Sequence, residues 1–394
     1  MSGNGTVIVG GVLASVRAAE QLRRNGYSAP ITIVGAEDHP PYDRPPLSKQ
    51  MLRGEVDDVV LNAVALKPAG FYTDNRIALR LGVAARGVDT LGHTVTLADG
   101  QVLGYDHLVI ATGLVPNRIP SFPDLAGIHV LRSLDDCVAL RGRAAGARRA
   151  VVVGAGFIGC EVSASLRSFG VEVVLVEPQP TPLASALGEQ VGALVTRLHR
   201  AEGVDVRTGV AVVSVAGADG VESVTLSDGS VIAADLVVVG VGSRPACDWL
   251  AGSDIAVADG VLCDEVGRTS APDVWALGDV ASWRDATGAQ ARVEHWSNVA
   301  DQAKILVAAL LNLDAVRPGV PYFWSDQYDV KIQCLGHPIG TVHLVVDDGR
   351  KFLAYYERDG VLVGVVGAGI PEQVRTARGK IAAGAPISEV LQPV

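Results

Sequence analysis

Twice along this chain an apolar β-run ends in glycine and gives way at once to a helical pattern, at Gly10 and again at Gly154. That duplication restricts the fold more than any other feature. In the second copy, VVVGAGFIGCE, Gly154, Gly156 and Gly159 stand in full G-x-G-x-x-G register after Val151, Val152 and Val153, with Phe157 and Ile158 between the last two glycines. The next apolar run, VEVVLVE, ends on Glu177. Strand, glycine loop, helix, strand and terminal carboxylate together make the fingerprint of a dinucleotide cradle. Glycines let the backbone approach a pyrophosphate, the N–H groups and positive end of the helix stabilise its charge, and the carboxylate has ribose hydroxyls as partners. Two cradles imply two nucleotide cofactors.

The first copy, TVIVGGVLASVRAAEQL, departs from the pattern. Gly10 keeps its place, but Val12 stands at the second glycine position and Ser15 at the third. A β-branched residue brings a Cβ toward the pyrophosphate and resists unusual backbone angles. The expectation is a weakened cofactor site or a reshaped loop; a βα turn that has lost its ligand stays open as the plainer alternative.

A chain of 394 residues suggests two or three domains. TVIVGG, a helix through Arg17 to Arg24 and ITIVG form one βαβ unit, followed by the β-rich segments ALRLGVAARGVD, HTVTLADG and YDHLVIATG. A second unit begins at Ala150 and is followed in the same order by VDVRTGVAVVSV, ESVTLSDG and ADLVVVGVG, ending at Gly240 and Gly242. LVPNRIP, residues 114–120, reads as a linker. SAPDVWALGDVASW returns a strand ending at Gly278 and Asp279, with a helix predicted over 298–312, and a third domain begins near 316 with an aromatic opening of Tyr322, Phe323, Trp324 and Tyr328. The predicted class is α/β: two Rossmann-like dinucleotide-binding domains and a smaller C-terminal α+β domain.

The apolar fraction of 48% lies in short runs, none near the eighteen or so residues of a membrane span, so no membrane association is expected. MSGNGTVIVGG carries no basic n-region or cleavable apolar segment, which points to the cytoplasm. Five scattered cysteines without a C-x-x-C argue against a disulfide framework, a metal site or a redox-active dithiol. A net charge of −10 disfavours nucleic acid as a partner.

Six segments carry a resemblance: HPPYDRPPLSK at 39–49, ATG at 111–113, VVVGAGFIGCE at 151–161, ALGDVA at 276–281, EHWSNVADQA at 294–303 and FWSDQYD at 323–329. Together, and nearly end to end, the chain resembles the NADH-dependent, FAD-containing ferredoxin reductases of bacterial oxygenase systems. The resemblance implies a glutathione-reductase-like fold, with an FAD domain over 1–113 and 243–315, an NAD domain over 114–242 and a C-terminal domain over 316–394. It implies that Gly10, Leu13 and Ala14 line the FAD pyrophosphate, that Ala36 and Glu37 meet the adenosine ribose with only Glu37 offering a carboxylate, and that Ala85 meets the adenine through its backbone. Arg44, Pro45 and Lys49 would pass the flavin, with Ala111, Thr112, Gly113, Arg132, Gly278, Asp279, His295 and Trp296 as further FAD contacts. Gly154, Gly156, Phe157, Ile158, Gly159, Glu177 and Gly242 would hold NADH.

Lys49 and Glu161 are the expected catalytic pair: the resemblance implies that Lys49 lies beside the flavin and that Glu161, in the first turn of the NAD-domain helix, faces it across the nicotinamide pocket. Plainer readings stand beside them: a solvated lysine, a carboxylate complementing the helix dipole, Asp279 as a helix N-cap and Trp296 as core packing. Glu177 favours NADH, since it would accept the ribose diol and repel a 2′-phosphate, and PQPTP after it offers no basic residue. The implied partner is a small acidic iron–sulfur ferredoxin, the chain being a monomer or weak homodimer. Trp324 stands as a candidate between flavin and acceptor, and Arg292, Lys304, Lys331, Arg375, Arg378 and Lys380 as candidate docking residues. An FAD-dependent NADH oxidase and an FAD-free NAD-binding protein remain alternatives.

Overall fold

A computed structural model describes residues 3–54, 63–285 and 287–391. These fall into two units, one from within 3–43, 63–115 and 243–319, the other from within 44–54, 116–242 and 320–391. In the first unit a parallel sheet runs in the order Val274–Ala276, His107–Ile110, Thr6–Val9, Ile31–Val34, Ile77–Arg80. Its central strands are continuous apolar runs because both faces are covered. Ile8, Ile33 and Val109 pack against the Leu13–Arg24 and Trp296–Leu310 helices, through residues such as Ala18, Leu22, Ala303 and Leu306. The alternate residues Val7, Val9, Leu108 and Ile110 pack against Val95 and Leu97 of an antiparallel three-stranded meander, Ala85–Asp89, Thr94–Leu97 and Val102–Gly104. Each such side chain contributes roughly 1.5–3 kcal/mol on burial.

The second unit repeats this arrangement. Its parallel sheet runs Asp205–Thr208, Glu172–Glu177, Arg149–Val153, Leu236–Val239, Ile128–His129, and Val151, Val153, Val237 and Val239 pack against Val215, Val224, Leu226 and Ile232 of a meander. In both sheets the strand leading into a glycine loop is central, with the second and third strands on one side and the strand after the meander on the other. The fifth strand comes from later in the chain in the first unit and from earlier in the second.

The second unit also holds a five-stranded antiparallel sheet, in the order Tyr322–Gln327, Val330–Gly336, Val361–Ala368, Phe352–Arg358, Thr341–Asp347. The Pro371–Ala382 helix covers it, with Val374 and Ala377 against Leu335, Leu353 and Val365. Each parallel sheet places its glycine loop at the carboxyl end of its central strand, where ligands of open α/β sheets bind.

Candidate dinucleotide sites and a buried ion pair

Both glycine loops are shaped by backbone crowding. Gly10 has φ +133 and Gly154 φ +93; a Cβ would lie 2.1 Å from the Ala111 carbonyl oxygen in the first and 2.4 Å from that of Gly240 in the second. Only glycine enters such a conformation freely. The third glycine position solves one problem in two ways. A Cβ at Gly159 would lie 2.0 Å from the Gly154 carbonyl oxygen, so that position packs without a side chain. Its counterpart Ser15 is fully buried and turns its hydroxyl into a donor to the Gly10 carbonyl. Val12 likewise sits in ordinary extended backbone, φ −133 and ψ −179, close to the ψ of −174 at Gly156. The expectation of a loop reshaped by Val12 and Ser15 is therefore corrected: the β-branched residue occupies a region any residue adopts.

The residues present fit a dinucleotide at both places. A Cβ at Gly156 would meet nothing within 4 Å, so packing does not require glycine there and the bare backbone leaves open space for a ligand to approach. The helices Leu13–Arg24 and Phe157–Arg167 begin with no side-chain cap and no acid in the first turn, whereas Leu134–Ala144 carries a full capping box from Ser133 and Asp136. An uncapped N-terminus keeps its first-turn amides available to an anion. Glu177 ends its strand and accepts from the Ala155 amide at 2.6 Å, which holds the carboxylate at the mouth of the second loop. Gly242 is fixed nearby, its carbonyl accepting from the Asn117 amide at 3.0 Å.

Around the first loop the structure gathers most of the residues expected there. Ala36 is exposed and Glu37 half-buried, with Tyr42 donating to the Glu37 carboxylate. The Gly82 and Val83 amides donate to the Glu37 and Gly35 carbonyls, so the chain leading to Ala85 runs beside them. Ala111, Thr112 and Gly113 follow the strand beside the central one, and the Thr112 hydroxyl donates to the Ala246 carbonyl at 2.9 Å. The Gly278 amide donates to Gln302 at 2.8 Å, an anchor the sequence did not single out. Asp279 leads into the strand Ala281–Arg284, so it caps no helix. His295 precedes Trp296, the first residue of its helix, and the Trp296 indole donates to Asp43 at 2.7 Å.

The second unit holds Arg44, Pro45, Lys49 and Arg132 together with Glu161. The Arg44 guanidinium donates to the Arg132 carbonyl. Lys49 Nζ lies 2.7 Å from Glu161 Oε2, with the two side chains 8% and 3% exposed, so Lys49 is not a solvated residue. Glu161 is the fifth residue of the Phe157–Arg167 helix, whose first turn carries no acid; the expected first-turn position, and with it a dipole-complementing role, is corrected. Around the pair stand groups that the sequence did not mark for a role at the carboxylate. Ser48 donates to Glu161 Oε2, Ser325 donates to Oε1 at 2.7 Å, and Lys49 also donates to the Pro45 carbonyl at 3.0 Å. A buried ion pair needs such further partners to offset its desolvation. For Ser325 the signal within the segment FWSDQYD is alternation: Phe323, Ser325 and Gln327 share one face of a strand, and Phe323 meets the ring of Phe157 edge-on at 5.2 Å.

Burial disfavours the thiolate at the cysteines. All five cysteines are free, and burial pushes Cys137 and Cys247 up to about 11 and Cys263 to about 12. Among the described residues no cluster fit for a metal occurs, and no helix is long and apolar enough to cross a membrane. Of the candidate docking residues, Arg292 is held by Asp259 and Glu294, Lys331 pairs with Asp326, and Lys380 donates to the Glu389 carbonyl.

This pairing of two cradles with a third module defines a two-dinucleotide oxidoreductase class, and comparison with known proteins narrows it. Residues 5–303 match the pyridine nucleotide-disulphide oxidoreductase family and residues 322–391 the reductase C-terminal family. The chain is 37% identical to a ferredoxin–NAD(P)+ reductase of Sphingomonas, over 91% of this chain and 87% of that one. It is 36% identical to the ferredoxin–NAD+ reductase component of the p-cumate 2,3-dioxygenase system of Pseudomonas putida, over 94% and 92%. The fold superposes on the reductase of a covalent putidaredoxin reductase–putidaredoxin complex with a TM-score of 0.94 at 29% identity, covering 99% of this chain and 95% of that one. The chain belongs to the pyridine nucleotide-disulphide oxidoreductase family and, within it, to the ferredoxin–NAD(P)+ reductases.

Proposed function

We propose that the chain is an NADH:ferredoxin oxidoreductase that holds FAD at the loop following Gly10 and NADH at the loop following Gly154, and supplies single electrons to a small iron–sulfur ferredoxin. The observation that carries this reading is the doubled cradle, two uncapped helices at the carboxyl ends of two sheets of one topology. The names of the relatives support the acceptor, and FAD when bound supplies the means to take two electrons and release them singly. In this reading 1–113 and 243–315 form the FAD domain, 114–242 the NAD domain and 316–394 the C-terminal domain.

The chain's own residues bind and orient. Gly10, Leu13 and Ala14 present the backbone and helix N-terminus to the FAD pyrophosphate; Gly154, Gly156 and Phe157 do so for NADH. Glu37 and Glu177 accept ribose hydroxyls. Lys49 and Glu161 satisfy one another in a dry cleft, and the serine donors keep Glu161 an oriented carboxylate. Five free thiols support a cytoplasmic location.

Purified protein should absorb near the flavin maximum at about 450 nm, bleach under anaerobic NADH, and reduce an added ferredoxin. A colourless protein that takes up no FAD overturns the reading. Glu177 decides the coenzyme: kcat/KM should favour NADH over NADPH, and Glu177→Ala should erase the preference by about ten- to a hundredfold, the scale of a charge-assisted hydrogen bond. Higher kcat/KM with NADPH in the wild type would reverse the assignment.

A further inference from the structure

Behind the Lys49–Glu161 pair a line of buried polar side chains continues past Ser325 to residues that the function above does not use. Ser325, Gln327 and His199 are each fully buried, in a region where unmade hydrogen bonds are costly. Gln327 Nε2 lies 3.2 Å from Ser325 Oγ, Gln327 Oε1 3.1 Å from His199 Nε2, and His199 Nδ1 2.7 Å from the Tyr328 hydroxyl. We propose that His199, acting through Gln327 and Ser325, is a positioning residue for Glu161, and that the five side chains form a hydrogen-bond chain pointing one way, toward the carboxylate. The proposal rests on the NADH-dependent reading and deepens it.

The direction follows by elimination from the carboxylate end. A carboxylate only accepts, so Ser325, 2.7 Å from Glu161 Oε1, must give it its one proton. With that proton committed, Ser325 accepts from its other neighbour, so Gln327 turns its amide NH2 to Ser325 and its carbonyl to His199. His199 then carries its proton on Nε2, and bare Nδ1 accepts from the Tyr328 hydroxyl. Reversing the line would require a protonated Glu161, against a Lys49 ammonium 2.7 Å from the other oxygen. Burial holds His199 down at about 4, in agreement with a neutral ring. The chain positions and does not conduct, because an amide in its middle passes no proton without becoming an imidic acid.

A second set of contacts closes the line into a ring. Tyr328 sits at φ +58 in the two-residue turn between Gln327 and Val330, a conformation unfavourable for a bulky side chain. Arg53 donates to the Tyr328 carbonyl at 3.4 Å and to Ser165 at 3.0 Å; Ser165 donates to the Ser48 carbonyl at 2.6 Å, and Ser48 donates to Glu161. The ring thus returns to the carboxylate it started from.

The test uses holoprotein. Histidine 15N spectra should show His199 neutral with the proton on Nε2; a ring protonated on Nδ1 overturns the proposal. Gln327→Glu keeps the shape but adds an acceptor that draws the Ser325 proton away from Glu161. Flavin reduction by NADH should then slow by about tenfold or more, with NADH affinity and flavin content little changed, and His199 should become an imidazolium. His199→Gln, which still donates to Gln327 and accepts from Tyr328, should keep most of the rate that His199→Leu loses. A Gln327→Glu protein reduced as fast as wild type overturns the positioning role alone, whereas wild-type flavin that NADH leaves oxidised overturns the functional reading beneath it.

Discussion

The contrast between Gly156 and Gly159 separates what a residue does for a ligand from what it does for the fold. Gly156 faces open space, while a Cβ at Gly159 would lie 2.0 Å from backbone oxygen. Gly156→Val should therefore leave thermal stability near wild type and weaken NAD+ binding, whereas Gly159→Ala should cost about 1–3 kcal/mol of stability. Calorimetric unfolding and NAD+ titration of both variants check this, and equal losses of stability would contradict it. His199 gives the second prediction at this scale. Its folded value of about 4 lies below the ordinary 6.5, so between those limits the unfolded chain binds the extra proton. Stability then rises with pH; the contribution is complete above about 6.5 and lost as pH falls toward 4, amounting to roughly 3 kcal/mol. Denaturant unfolding across that window should show the slope, and His199→Gln should flatten it.

Elements are held in place by single side chains that hydrophobic pattern does not mark. The Arg23 guanidinium, on the Leu13–Arg24 helix, donates to the carbonyls of Asn75, Tyr27, Ala29 and Arg76 at 2.6 to 2.9 Å, tying that helix to the turn that leads into strand Ile77–Arg80. Arg23→Lys offers one ammonium for a planar fork with four acceptors and should destabilise by about 2 kcal/mol, with faster hydrogen exchange in that strand; unchanged exchange would refute the tie. Strands and cradles were legible in the sequence because burial on both faces writes continuous valine and isoleucine runs and glycine punctuates them. Ser15 was misread as damage, since a sequence displays the extra atoms of a serine but not the Gly10 carbonyl waiting for its hydroxyl. The serine partner of Glu161 and the glutamine behind it were missed for the opposite reason: Ser325 and Gln327 look like the solvent face of a strand, and only the helix packed on them makes that face the interior.

The whole molecule sets the remaining constraint, because on the proposed function a chain of net charge −10 receives a small ferredoxin that is itself acidic. At separations of tens of ångströms the net charges repel, yet at 0.15 M salt the Debye length is about 8 Å, so that repulsion is largely screened before contact. What survives at close range is pairing between the partner's carboxylates and those basic residues not already taken up within the chain. Arg375 and Arg378 on the Pro371–Ala382 helix are exposed, Arg378 donating to the Val320 carbonyl rather than to a carboxylate, whereas Arg292 is neutralised by two acids of its own. Charge reversal at Arg375 or Arg378 should therefore slow electron delivery to ferredoxin more than reversal at Arg292, and wild-type ferredoxin turnover should fall as ionic strength is raised from about 0.1 M toward 0.5 M. Flavin reduction by NADH, followed by stopped flow under the same salts, serves as the control and should change far less. Parallel changes in the two rates would place the salt effect on the coenzyme rather than on docking.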